Sequence, residues 1–160
     1  GTATLPDGST VSWIKDNKVC QKVFSEMKTK ASDFSWLHLD NIESLQYSEY
    51  GKNQEYGWHR DCTNIPYPDG RVRKISFSVF LNSDYEGGEF CFPEQNYTVK
   101  LTRGQALLFP PYWTHPHYTK KLHNDTFRYT ITSWFYGSKE YPIPKSVHEP
   151  IDSKPGTLKQ

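Results

Sequence analysis

Apolar and polar residues alternate along this chain with two different periods. From Asp16, the apolar positions Val19, Cys20, Val23, Phe24 and Met27 recur at helical spacing, and Asp16 can cap the first turn. This pattern predicts a helix that packs on a sheet. Beyond it the period falls to two. Within 42–50, Leu45, Tyr47 and Glu49 share one face, and Gln46, Ser48 and Tyr50 the other. After the Gly51-Lys52-Asn53 turn, 55–61 is expected to return as a strand. Residues 72–82 give the strongest strand pattern, with Ile75, Phe77, Val79 and Leu81 alternating with Lys74, Ser76, Ser78 and Phe80. Further strands are predicted at 90–92, 97–101, 106–109 and 126–136, separated by turns rich in Gly and Pro. Many short strands behind one helix predict a mainly β fold, a double-sheet jelly roll with one or more supporting N-terminal helices. The segment 141–160 has several prolines and no periodicity, so the expectation is one domain over 1–140 and a Pro-rich C-terminal arm.

Composition narrows this picture. A chain of 160 residues suits a single domain, and an aromatic content of 16% suits an aromatic-lined cavity. Nineteen basic residues against 18 acidic ones leave no polyanion-binding surface, so nucleic acid is not favoured as a partner. No apolar run reaches the length of a membrane span, so no membrane partner is expected. Three unpatterned cysteines give neither a disulfide framework nor a thiolate zinc site, and fit a reducing, cytoplasmic compartment. The chain begins at Gly1 and its one methionine is Met27, so N-terminal elements are expected to be missing.

The chemistry gathers at Trp58-His59-Arg60-Asp61. On an extended segment His59 and Asp61 point the same way. With a second imidazole from later in the chain, His115, they make two His and one carboxylate on one face of an octahedron, the pattern of non-haem Fe(II) oxygenases. His117 is the rival for the third position, in the same aromatic stretch 113–117. His123 sits in a Lys-rich loop, and His38 and His148 lie outside the pattern.

A longer series surrounds these residues. Leu45-Gln46, Tyr50-Gly51 and Tyr56-x-x-His59-x-Asp61 come first. Arg73-Lys74-x-Ser76, Phe80-Leu81-Asn82 and Tyr85-x-Gly87-Gly88-Glu89 follow, then Gly104-x-Ala106-x-x-Phe109-Pro110, His115 and Arg128-Tyr129, and finally Trp134. In order and spacing this series resembles the Fe(II)/2-oxoglutarate-dependent oxygenases, in their prolyl 4-hydroxylase-like branch. The resemblance implies a double-stranded β-helix. It implies Fe(II), 2-oxoglutarate and O₂ as cofactors, with ascorbate a further candidate. It also implies a dioxygenase that couples decarboxylation of 2-oxoglutarate to hydroxylation of an unactivated C–H bond.

Family spacing puts the distal His six residues after the Phe of Phe109-Pro110, which points to His115. Arg128 matches the partner of the far carboxylate of 2-oxoglutarate, which a guanidinium grips with two parallel hydrogen bonds. Thr130 and Trp134 share its strand face, and Tyr50 is the expected co-substrate contact. Lys74 is the alternative cation. Some relatives carry a Tyr where this chain has Phe80, so the second donor to that carboxylate is open. Tyr56, Trp58 and Trp113 are the expected substrate contacts, an aromatic rim suited to an extended Pro-containing peptide. The insert 117–124 lies beside it. A prolyl residue in a peptide or protein is thus the expected substrate. The alternatives are a free amino acid or other small molecule, a zinc hydrolase, and a catalytically silent binding module on the same fold.

Overall fold

The computed structural model describes residues 1–6, 8–62 and 65–138, so the expected arm over 141–160 lies outside the described residues. The chain opens with a hairpin of β1 (Thr2–Thr4) and β2 (Thr10–Trp13). Helix α1 (Asn17–Lys30) follows, and Asp16 caps it by accepting a hydrogen bond from the Val19 amide. A 3₁₀ stretch, Ala31–Leu37, leads to β3 (Asn41–Ile42) and β4 (Gln46–Tyr50). Then come β5 (Arg71–Phe80), β6 (Glu86–Gly87), β7 (Phe90–Phe92), β8 (Tyr97–Val99) and β9 (Ala106–Phe109). The insert forms two short strands, β10 (Tyr118–Thr119) and β11 (Leu122–His123), before the long β12 (Arg128–Ser138).

The large sheet runs β1-β2-β4-β12-β5-β9, with β3 against the far end of β12. Its neighbours pair antiparallel throughout. The second layer consists of β10-β7-β8 and the pair β11-β6. The two layers make the expected double-stranded β-helix.

Period-two patterning separates the two faces of the large sheet. Ile75, Phe77, Ile131 and Phe135 turn toward α1 and form the main core with Met27, Ala31, Leu37 and Leu45. Phe77 and Phe135 are almost fully buried and pack at 5.6 Å between ring centroids. Truncating either to Ala is expected to cost about 3–5 kcal/mol. The alternate residues of β4, β5 and β12 face the second layer, where Gln46, Ser48, Ser78, Thr130 and Thr132 line a cavity.

Two irregularities break this alternation. The expected strand over 55–61 does not form. His59 pairs with His117, and the Thr119 amide donates to the Tyr56 carbonyl, so three residues on one side span two on the other. The extra residue unbalances the ladder, as in a β-bulge. As a result Tyr56 and His59, three apart, both line the cavity, while Trp58 is left exposed. The second irregularity lies in β5. Phe135 sits opposite Ile75 and Tyr136 opposite Arg73, so Lys74 is skipped.

Candidate metal and co-substrate site

His59 and His117 are directly opposite each other and exchange both backbone hydrogen bonds, each at 2.9 Å. Opposed residues of an antiparallel pair project to the same side. The ring centroids accordingly lie 4.2 Å apart, and Asp61 completes the group. Asp61 Oδ1 is 3.1 Å from His59 Nε2 and 3.5 Å from His117 Nε2. Among the described residues, His59, Asp61 and His117 form the one group of metal-binding side chains whose ligand atoms lie within 4.8 Å of one another.

His115, the expected third ligand, is therefore replaced in this group by His117. The ladder opposite His59 starts only after Pro116, which has no N–H to give. His115 belongs to the turn before it, with its amide donating to the Tyr112 carbonyl. Its ring lies beside Thr114 and Phe92. What His115 offers is its own carbonyl, 3.1 Å from His117 Nδ1.

That contact decides the tautomer of His117, because a carbonyl can only accept. The Nδ1 of His59 is tied likewise to the Gly57 carbonyl at 2.7 Å. With Nδ1 engaged, Nε2 is the atom that each ring turns toward Asp61 Oδ1 and the one left to bind a metal. Burial lowers the pKa of His117, which favours the neutral ring. Burial pushes the Asp61 carboxyl up, but His59, His117 and Ser76 outweigh it and bring it to about 2. The other Asp61 oxygen, Oδ2, accepts from Ser76 Oγ at 2.6 Å and Trp134 Nε1 at 3.1 Å. Three lone-pair donors converge on one space, each fixed from behind. This donor set fits a divalent transition metal.

The cavity, about 270 Å³, extends from this group to Arg128. Arg128, Thr130, Thr132 and Trp134 all face into it from β12, and Tyr50, opposite Arg128 on β4, faces it too. Arg128 is 2% exposed. Its Nη1 donates to the Gly88 carbonyl at 2.6 Å, and its guanidinium lies over the Tyr50 and Phe90 rings at 4.8 and 5.6 Å. Its Nε is buried without a hydrogen-bond partner, and burial lowers its pKa. No carboxylate among the described residues pairs with it. A buried guanidinium in this state fits an incoming anion. Gly88 makes the approach possible: at φ +69°, a Cβ there would meet Leu122 at 2.8 Å and Arg128 Nη1 at 3.4 Å.

The remaining expected residues divide. Tyr56 lines the cavity, with its ring 4.0 Å from that of His59. Trp58 and Trp113 are exposed and do not line it. Lys74, the alternative cation, is turned away by the irregularity in β5, and its Nζ donates to the Leu37 carbonyl under the helical layer. Phe80 is buried against Phe90 and offers no donor. Ser76 escaped the sequence reading as a partner of Asp61. Its signal was available, since small hydroxyl residues at 76 and 78 interrupt an otherwise aliphatic and aromatic run from Ile75 to Phe80.

Comparison with known proteins adds an independent view. The family model of the 2OG-Fe(II) oxygenase superfamily matches residues 45–136. A PKHD-type hydroxylase of Crocosphaera subtropica is 31% identical over 104 residues, which cover 62% of this chain and 46% of that protein. A putative prolyl 4-hydroxylase of Acanthamoeba polyphaga mimivirus is 29% identical over 120 residues, covering 69% of this chain and 48% of its own. The chain thus spans less than half the length of these curated relatives. The viral collagen prolyl hydroxylase of Paramecium Bursaria Chlorella virus-1, solved as a 2OG complex, shares the fold with a TM-score of 0.66. It is 23% identical, with 82% of this chain and 80% of that one covered.

Proposed function

This chain belongs to the 2OG-Fe(II) oxygenase superfamily, and on that premise we propose that it is a 2-oxoglutarate-dependent dioxygenase acting on a prolyl residue of a peptide or protein. One observation carries the reading. A single cavity has a triad of fixed metal-binding side chains at one end and, at the other, a buried guanidinium that no carboxylate among the described residues pairs.

In this reading His59, Asp61 and His117 hold Fe(II). Bound there, the iron supplies the redox centre that couples decarboxylation of 2-oxoglutarate to hydroxylation of a C–H bond. Arg128 holds the far carboxylate of 2-oxoglutarate by a charge-assisted fork, oriented by the Gly88 carbonyl. Thr130 and Tyr50, which flank Arg128 and line the cavity, are the proposed further donors that replace the hydroxyl Phe80 lacks. Trp134 has two roles. It walls the cavity and holds Asp61 Oδ2. Phe90, Phe109 and Val11 supply apolar walls that keep bulk water from the reacting centre.

The substrate class rests on the prolyl hydroxylase relatives and on the aromatic rim. Tyr56 stands at the cavity mouth, 41% exposed, and Trp58 and Trp113 offer open ring faces nearby in sequence to the ligand residues. Such faces suit a pre-extended Pro-containing segment. The test is incubation of the iron-loaded protein with 2-oxoglutarate and Pro-rich peptides, reading succinate release and a +16 mass shift. Succinate and hydroxylated peptide are expected together. Turnover driven only by small metabolites overturns the peptide assignment, and no succinate with any substrate overturns the enzyme reading.

A further inference from the structure

We propose that Arg73, clamped by Glu43, is a positioning residue for the Asp61 carboxylate; this rests on the reading of Asp61 as a metal ligand. Because the β5 ladder skips Lys74, Arg73 reaches the cavity side of the sheet. There all three guanidinium nitrogens have fixed acceptors. Nε and Nη2 grip the two oxygens of Glu43 at 2.8 and 2.7 Å, and Nη1 donates to the Asp61 carbonyl at 2.8 Å. Its Cζ lies over the Trp134 ring, 3.7 Å from the ring centre. Trp134 in turn donates its indole N–H to Asp61 Oδ2.

Arg73 therefore holds Asp61 twice, once through its main chain and once through the indole that grips its carboxylate. Glu43 is anchored as well, since its Oε1 also accepts from the Tyr67 hydroxyl at 3.0 Å. Arg73 and Glu43 side chains are about four-fifths buried, at 20% and 17% exposure, so the pair is shielded from the screening that weakens surface ion pairs. A planar fork matches these contacts, and an ammonium does not: lysine keeps the charge but loses both the bidentate grip and the stacking plane. Arg71, two residues earlier, is a built-in comparison. It pairs with Asp69 and lies over Tyr67 and Tyr136, with no contact to Asp61.

The experiment is titration of the metal-free protein with Co(II), reading the dissociation constant and the d–d absorption spectrum, with far-UV circular dichroism to confirm folding. Arg73→Gln and Glu43→Gln are each expected to weaken Co(II) binding by about tenfold to a hundredfold, the range for partners of metal ligands, and to shift the d–d bands. Arg73→Lys recovers only part of the loss, and Arg71→Gln binds as the parent does. If Arg73→Gln does not fold, Glu43→Gln carries the test. Native affinity and spectrum in the folded Arg73 and Glu43 variants, with Co(II) binding lost in Asp61→Asn, overturns the proposal. So does an equal loss in Arg71→Gln. Native Co(II) binding in Asp61→Asn overturns the metal reading itself, and the proposal with it.

Discussion

His59 and His117 face each other across a single antiparallel bridge, each donating its amide to the other's carbonyl at 2.9 Å. This relationship makes a sharp distinction between two histidines only two residues apart. His117→Ala is expected to weaken Fe(II) or Co(II) binding by more than about a hundredfold, beyond the usual range for outer partners. His115→Ala keeps the carbonyl that orients His117 and is expected to bind metal nearly as the parent does. Calorimetric titration of the two variants checks this, and the reverse ranking sinks the assignment.

Ser76 holds the Asp61 oxygen that faces away from the histidines. Ser76→Ala is expected to lower metal affinity by about tenfold or more, and Ser76→Thr to restore it, since the hydroxyl is what matters. A Co(II) titration of both variants reads the outcome. Equal affinities in parent and Ser76→Ala would show that Trp134 alone suffices.

Arg128 is the proposed seat of the far carboxylate of 2-oxoglutarate. Arg128→Lys keeps the charge but loses the fork, and its 2-oxoglutarate affinity is expected to fall. Arg128→Ala is worse, by on the order of 3–5 kcal/mol, by analogy with broken buried pairs. Lys74→Met leaves the affinity unchanged, because the Lys74 ammonium lies under the helical layer. Calorimetry with 2-oxoglutarate on the metal-loaded variants is the check.

Lys74 makes a separate prediction about stability. It is 1% exposed, and burial lowers its pKa from 10.5. In the window just below that value, the unfolded chain binds this proton more fully than the folded one. Stability therefore gains from Lys74 as pH rises through the window. Urea unfolding of parent and Lys74→Met at pH 7 and pH 10 is expected to show the parent gaining relative to the variant at the higher pH. A difference that stays constant, or shrinks, contradicts the burial of a charged amine there.

No helix among the described residues is long and apolar enough to cross a membrane. Trp58 and Trp113 are exposed and invite a test as substrate contacts. Each changed to Ala is expected to raise the KM for a Pro-rich peptide several-fold with little change in the KM for 2-oxoglutarate. Their exposure, 58% and 66%, means that thermal stability should hardly move. Steady-state kinetics with both substrates varied separates these outcomes.

What the sequence determined by itself was everything that depends on local parity. The capped helix, the two-faced strands and the common face of Arg128, Thr130, Thr132 and Trp134 follow from neighbours along the chain. So does the pairing of His59 with Asp61, two residues apart. The tertiary structure decided what depends on register between distant segments. Which histidine meets His59 is set by a bridge between residues 58 positions apart, 59 and 117, started only after Pro116. The unequal spans at 56–59 and 117–119, and the skipped Lys74, each reverse parity at one point. A reversal of this kind leaves no periodic trace, because its cause is a partner strand far away in sequence. It re-aims Tyr56, Lys74 and Arg73, and so determines which side chains surround Asp61.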